Sequence, residues 1–207
     1  MEEVFETFAG KLETPAARSE ALRRSQELLK NLLLTLALAA IWGLAAGGGS
    51  PALALANLYK VPMVIVLSAL VALPAVLTAR HFLELACTPL QVLAALSKSL
   101  FRASLVLLSV APLLAVYAYT SQWFAPVLAQ VSGGLAILCA GLSLYVELRK
   151  LEGSGPRLLA LTTMSALALG LALLQLIAIA TPILSVPTAF GKGIDGVTSR
   201  DRGEAYR

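Results

Sequence analysis

The best candidates for chemistry in this sequence are charged side chains that lie between its long apolar segments. His81 and Glu84 are three residues apart, so on a continuous helix they would share one face. An imidazole beside a carboxylate can pass a proton at neutral pH, which is typical of a proton or substrate relay. We define the charge cluster as Arg80, His81, Glu84, Lys98, Arg102, Glu147, Arg149 and Lys150.

The charge cluster also fits a structural role. Basic residues at a membrane surface bind anionic lipid headgroups, with about 1 kcal/mol for each residue. Charged residues that serve a transport pathway generally reach the middle of the bilayer, whereas Glu84 and Glu147 lie at the ends of apolar segments. Both interpretations, a relay and a set of charges that seats the protein in the membrane, stay open at this point.

Other kinds of site have little support in the sequence. His81 is the single histidine, and no cluster of cysteines and carboxylates lies near it to hold a metal ion. Cys87 and Cys139 fall in or beside apolar segments, so we interpret them as small buried hydrophobic residues. No phosphate-binding loop, dinucleotide-binding motif or hydrolase motif is present. We therefore expect no catalytic residue, no metal and no cofactor.

The elements that position these residues are membrane-spanning helices. Of the 207 residues, 58% are apolar and 14% are charged, and the mean hydropathy is +0.81. Soluble domains carry about 25% charged residues. Eleven of the 28 charged residues lie in residues 1–30 and seven in residues 192–207, which leaves long apolar blocks between them. The composition predicts an all-α, polytopic transmembrane helix bundle and excludes an ordinary cytosolic enzyme.

The apolar blocks predict five spans between an amphipathic N-terminal arm (1–30) and a polar C-terminal tail (182–207). The spans cover residues 31–47, 61–79, 103–119, 126–145 and 158–181. Residues 52–59 are predicted to form an interfacial loop or a partial turn, with Pro62 in the first turn of span two. Thr88-Pro89 predicts a fresh helix start, and a helix from 89 to 118 would be about 45 Å long. Because the bilayer core is about 30 Å thick, its first turns should lie at the surface.

Packing between the spans is predicted from small and hydroxyl-bearing residues. Ala39, Gly43 and Gly47 share one face of span one, as do Ser132, Ala136 and Ala140 on span four and Thr162, Ala166 and Gly170 on span five. Close approach of helices at such positions is common in membranes, and hydroxyl groups often donate hydrogen bonds to neighbouring helices. We expect both effects here.

Lysines and arginines near the ends of spans favour the cytoplasmic side of a membrane. With the N-terminus inside, eleven of them lie on the inner side and five on the outer side, four of these five in the tail. The charge pattern predicts a cytoplasmic N-terminus, with the C-terminus on the other side. The net charge of +4 then reflects orientation, and we expect no binding of nucleic acid.

The N-terminal arm is the predicted surface for a protein partner. Val4, Phe5 and Phe8 recur at helical spacing, and Glu2, Glu3 and Glu6 lie between them. Helices that lie on lipid are usually rich in Lys and Arg, whereas acidic side chains are repelled by an anionic leaflet. We therefore expect Val4, Phe5 and Phe8 to contact protein, although a solvated leader without a partner fits the same residues.

Four short segments between residues 58 and 112 carry a resemblance to a known family. They are Leu58-Tyr59-Lys60-Val61-Pro62, Leu73-Pro74, Leu90-Gln91-Val92-Leu93 and Leu107-Leu108-Ser109-Val110-Ala111-Pro112. In these segments the chain resembles uncharacterised bacterial multi-pass proteins of the wider Yip1-type family. The resemblance implies a cytoplasmic N-terminal arm, five spans and a non-enzymatic protein that acts through partners or lipid organisation.

Two functions follow from these observations. The first is a membrane anchor or adaptor subunit, whose partners are membrane lipids and other protein subunits. The second is a small transporter or channel subunit with a polar path between spans two and three, and with His81, Glu84 and Arg102 at its inner mouth. A polar cavity that reaches mid-bilayer would favour transport, and a dry, tightly packed bundle would favour the anchor.

Overall fold

A computed structural model describes residues 15–48, 50–121, 124–153, 155–180 and 183, and these residues form five α-helices without strands. The helices are α1 (Pro15–Ala46), α2 (Pro51–Phe82), α3 (Pro89–Thr120), α4 (Phe124–Glu152) and α5 (Pro156–Ala180). All five contain a segment long and apolar enough to cross a membrane. The predicted all-helical, multi-pass fold is thus confirmed.

Proline occupies the first position of four helices: α1, α2, α3 and α5. A first-turn N–H has no partner within its helix, so a proline costs no hydrogen bond there. At α3 the start is also capped, because the Gln91 N–H donates to the Thr88 hydroxyl (3.3 Å) and the Thr88 N–H donates to the Gln91 side chain (2.7 Å). The helix start predicted at Thr88-Pro89 is confirmed.

Helix α2 differs from the prediction. Residues 52–59 were expected in a loop, but the helix begins at Pro51 and Pro62 lies inside it. The segment consists mainly of alanine and leucine, which favour helix. An internal proline removes one hydrogen bond and crowds the preceding turn, which bends a helix without ending it. The buried Asn57 shows that this part of the helix packs within the bundle. At 32 residues, α2 is about 48 Å long and exceeds the thickness of the bilayer core.

The five helices form a closed ring in which each packs closely against two others. Around the ring the order is α1, α2, α5, α4 and α3. Connections of a few residues join consecutive helices, so successive helices run in opposite directions. The N-terminal ends of α1, α3 and α5 therefore lie at the same end of the ring as the C-terminal ends of α2 and α4.

Two apolar cores fill the ring. One lies nearer the N-terminal end of α3 and joins α2, α3, α4 and α5 through residues such as Val76, Leu96, Leu148 and Leu161. The other lies nearer the C-terminal end of α3, joins α1, α2, α3 and α4, and is rich in alanine. Large hydrophobic side chains that remain exposed cover the outer faces of all five helices, as expected for a surface in contact with lipid.

Small residues allow a close contact between the C-terminal end of α1 and the first turns of α2. A methyl group added at Gly43 would collide with the backbone carbonyl of Asn57, and one at Gly47 would lie 2.5 Å from the backbone nitrogen of Ala54. The expected packing of Ala39, Gly43 and Gly47 is confirmed. In span four, Ser132, Ala136 and Ala140 are buried, which agrees with the predicted packing face. In span five the predicted close approach at Gly170 is wrong, because no atom of another described element lies within 4 Å of a methyl group added there.

The prediction that hydroxyl groups link neighbouring helices is wrong for the buried hydroxyls whose bonds the structure describes. Each donates to a carbonyl three or four residues earlier in its own helix; examples are Ser68 to Val64 (2.6 Å) and Ser165 to Leu161 (2.7 Å). Thr35, Ser104, Ser132 and Thr162 do the same. A hydroxyl in apolar surroundings is satisfied most directly by the carbonyl within its reach, without a partner helix.

Candidate functional site

Charged residues concentrate at one end of the ring, which we call the charged end. It contains the N-terminal half of α1, the C-terminal ends of α2 and α4, and the N-terminal ends of α3 and α5. Within the described residues, Lys60 of α2 is the single charged residue toward the opposite end. The charged end therefore contains nearly all of the charged side chains of the described helices.

Among the residues that the structure describes, the ion pairs Glu27–Lys98, Arg102–Glu147 and Glu84–Arg157 connect different elements at the charged end. Glu27 of α1 pairs with Lys98 of α3 at 3.5 Å, and Arg102 of α3 pairs with Glu147 of α4 at 2.7 Å. A third, longer pair at 4.0 Å joins Arg157 of α5 to Glu84, in the connection between α2 and α3. Together the pairs join α1 to α3, α3 to α4, and the α2–α3 connection to α5 near one surface.

The strongest of these contacts is centred on Glu147. Its side chain is 11% exposed, and one oxygen, Oε1, accepts hydrogen bonds from Arg102 Nη2 (2.7 Å) and from Lys150 Nζ (3.0 Å). The group of three carries two positive charges and one negative charge, so a net charge of +1 remains. Arg102 and Lys150 themselves are 41% and 61% exposed, so this positive charge is open to the surroundings.

His81 and Glu84 do not form the pair that the sequence suggested. Helix α2 ends at Phe82, and Glu84 has a φ of 52°, so the two residues do not lie on one helix face. Glu84 is exposed and its partner is Arg157, while the imidazole of His81 lies beside the ring of Phe82. The relay interpretation of His81 and Glu84 loses its geometric basis, because the chain leaves the helix before Glu84.

The rest of the charge cluster is divided among separate contacts. The Nε of Arg80 donates to the carbonyl of Cys87 and so closes the connection between α2 and α3. Arg149 lies exposed in the last turn of α4. The cluster is thus a set of local links in which only Arg102, Glu147 and Lys150 contact one another. The sequence did not identify Glu27 and Arg157 as ion-pair partners. Glu27 lies in the N-terminal half of α1 and Arg157 at the N-terminal end of α5, and these positions at the charged end were the available signal.

The opposite end of the ring contains a buried polar residue of a different kind. Asn57 is fully buried, and its Nδ2 donates to the carbonyl of Ile183 at 2.6 Å. This bond holds the chain beyond α5 against α2. Asn57 Oδ1 and the indole nitrogen of Trp42 are also buried, and neither has a hydrogen-bond partner among the described residues.

The remaining predictions concern a metal site and the two ends of the chain. No group of three or more metal-ligating side chains occurs in the described part of the chain. Val4, Phe5 and Phe8, predicted to bind a partner, lie outside the described residues, as does the polar tail except for Ile183.

Comparison with protein-family models, curated proteins and solved structures found no match to this chain.

Proposed function

We propose that this protein is a non-enzymatic anchor or adaptor subunit of a plasma or bacterial inner membrane. In this proposal the five helices fix the protein in the bilayer, and the charged end faces the cytoplasm. The N-terminal arm, with Val4, Phe5 and Phe8, binds another protein subunit. The resemblance to Yip1-type proteins carries the same expectation.

The observation that carries the proposal is the linked charged end. Ion pairs join α1 to α3, α3 to α4, and the α2–α3 connection to α5. Residues 15–30 of the arm form the first half of α1, which lies at this same end. A partner bound by the arm would therefore lie beside the surface that carries these ion pairs, and its charged groups could contact them.

The interior of the ring gives the alternative, a transporter or channel, less support. The proposed path lay between spans two and three, where apolar side chains of α2 and α3 such as Val76, Ala79, Val92 and Leu96 form one core. Ser68 and Ser99 lie deeper in these helices, and their hydroxyls donate within their own helices. A solute path needs polar groups that face a cavity, so the packing favours the anchor.

Orientation in this proposal follows from the basic residues. Ten lysines and arginines of the helices lie toward the charged end, whereas Lys60 lies toward the other. The positive-inside bias then assigns the charged end to the cytoplasm.

The test is co-purification of partners from native membranes in mild detergent. Deletion of residues 2–12, or replacement of Val4, Phe5 and Phe8 by serine, should abolish recovery of the specific partner while membrane insertion is unchanged. The matched control replaces Glu2, Glu3 and Glu6 by glutamine, which keeps the apolar face. Unchanged recovery of every co-purifying protein after the deletion would refute the arm as the binding segment.

A further inference from the structure

The outer surface between α3 and α4 contains a groove that the proposed function does not use. Arg102 and Val106 of α3 form one wall, and Leu135, Leu138, Leu142 and Val146 of α4 form the other. We call this the α3/α4 groove. The four α4 residues are apolar and 47–69% exposed, so the groove opens sideways toward the hydrocarbon of the bilayer.

The length of the groove matches one leaflet. From Leu135 to Val146 the α4 helix rises about 16 Å. Half of a hydrocarbon core about 30 Å thick is about 15 Å. Arg102 lies at the Val146 end of the groove, toward the charged end, where its ion pair with Glu147 joins α3 to α4. The groove therefore runs from a basic side chain toward the middle of the bundle.

The shallow form of the groove suits a single hydrocarbon chain. Its volume is about 510 Å³ over a length of about 16 Å, and its side is open to the surroundings. A helix with its side chains is at least about 10 Å across. A helix from a second copy or a partner could cover the groove but not enter it.

The positive charge at the end of the groove favours an anionic lipid headgroup. Arg102, Lys150 and Glu147 together carry a net charge of +1, and both basic residues use the same Glu147 oxygen. The Arg102 guanidinium contacts Glu147 through Nη2 alone in the described structure, which leaves donors of its planar fork for a second acceptor. Phosphate oxygens fit this geometry well.

We propose that the α3/α4 groove binds an anionic phospholipid of the leaflet at the charged end, with its phosphate on Arg102 and one acyl chain along α4. The shape of the groove and the charge at its end carry this inference independently of the anchor function. The protein then prefers anionic to zwitterionic lipid at this surface, beyond the non-specific contact that every exposed apolar face makes with lipid.

The test uses the full chain in phosphatidylcholine vesicles that contain a small, equal amount of photoactivatable phosphatidylglycerol or photoactivatable phosphatidylcholine. The reactive group is placed on the acyl chain, and cross-linked peptides are mapped by mass spectrometry. We expect the peptide that contains Leu135 to Val146 to be labelled about fivefold more by phosphatidylglycerol, the preference conferred by roughly one basic residue at the surface.

Three variants separate the groove from general surface charge. Arg102→Gln should bring the two lipids to equal labelling, whereas Arg157→Gln, which removes a basic residue of α5 at the same end, should leave the preference intact. Cys139→Phe fills the groove without changing its charge and should lower labelling by both lipids. Gel filtration of each variant checks that the bundle is folded.

Equal labelling by the two lipids in the unaltered protein would overturn the proposal. An equal loss of preference in Arg102→Gln and Arg157→Gln would also overturn it, because general charge would then explain the binding. If neither lipid labels the groove, another occupant such as a second copy of this chain covers it, and the lipid assignment is wrong.

Discussion

Replacing Gly43 by alanine should loosen the contact between α1 and α2. The added methyl group would collide with the Asn57 carbonyl oxygen and lie 3.1 Å from both the Asn57 carbonyl carbon and Val61 Cγ2. Because two of these atoms belong to the backbone, a change of side-chain rotamer cannot relieve the contact. The helices must move apart.

The expected loss of stability follows from two opposing effects. Overpacking of a well-packed interior costs about 1–3 kcal/mol, and an obstacle made of backbone places Gly43→Ala in the upper part of that range. Alanine has a higher helix propensity than glycine, so the same exchange stabilises the helix by up to about 1 kcal/mol. We expect a net destabilisation of about 1–2 kcal/mol.

The measurement is the temperature at which half of the purified protein loses its monodisperse gel-filtration peak in mild detergent. Gly133→Ala in α4 is the matched control, because no heavy atom outside its own turn of helix lies within 4 Å of the added methyl group. We expect a lower midpoint for Gly43→Ala and an equal or higher midpoint for Gly133→Ala. A Gly43→Ala protein as stable as the unaltered chain would show that α1 and α2 are not in such close contact.

Two further predictions concern orientation and the chain beyond α5. A reporter fused after Lys150 should give a cytoplasmic signal and one fused after Arg207 a non-cytoplasmic signal; cytoplasmic signals at both positions would contradict five crossings. Asn57→Ala removes the hydrogen bond to the Ile183 carbonyl. It should therefore raise the maleimide reactivity of a cysteine at Ile183 about fivefold, the equivalent of about 1 kcal/mol. Ser68→Ala, whose hydroxyl donates within its own helix, is the control and should leave that reactivity unchanged.

The sequence predicted the number and type of the elements because composition dominates them. Each predicted span overlaps one of the five helices. The start of α3 was also predictable, since a threonine, a following proline and a glutamine three residues later form a local capping pattern. Packing of the small residues of span one was predictable because helical periodicity places Ala39, Gly43 and Gly47 on one face.

Features that depend on neighbouring elements could not be read from the sequence. The alanine and leucine content of residues 52–59 favours a helix, but the packing of this segment against α1 near Gly43 is not visible in the sequence. Glu84 takes a positive φ where the chain turns from α2 to α3, so its partner is Arg157 on a helix far along the sequence. The ring order places α5 between α2 and α4, and periodicity carries no information about that order.

The exposed ion pairs and the packed cores contribute differently to the stability of the ring, and this difference bears on function. Exposed ion pairs such as Glu27–Lys98 contribute about 0–1 kcal/mol each, so they add little to the stability of the bundle. Tight packing occurs toward both ends: buried leucines such as Leu148 and Leu161 lie nearer the charged end, and the close contact of α1 with α2 and the alanine-rich core lie toward the opposite end. Apolar burial gives helices little reason to associate in lipid, so close packing must supply much of the stability. The exposed side chains of the charged end can therefore bind a ligand, a lipid phosphate on the remaining donors of Arg102 for example, without opening the rest of the ring.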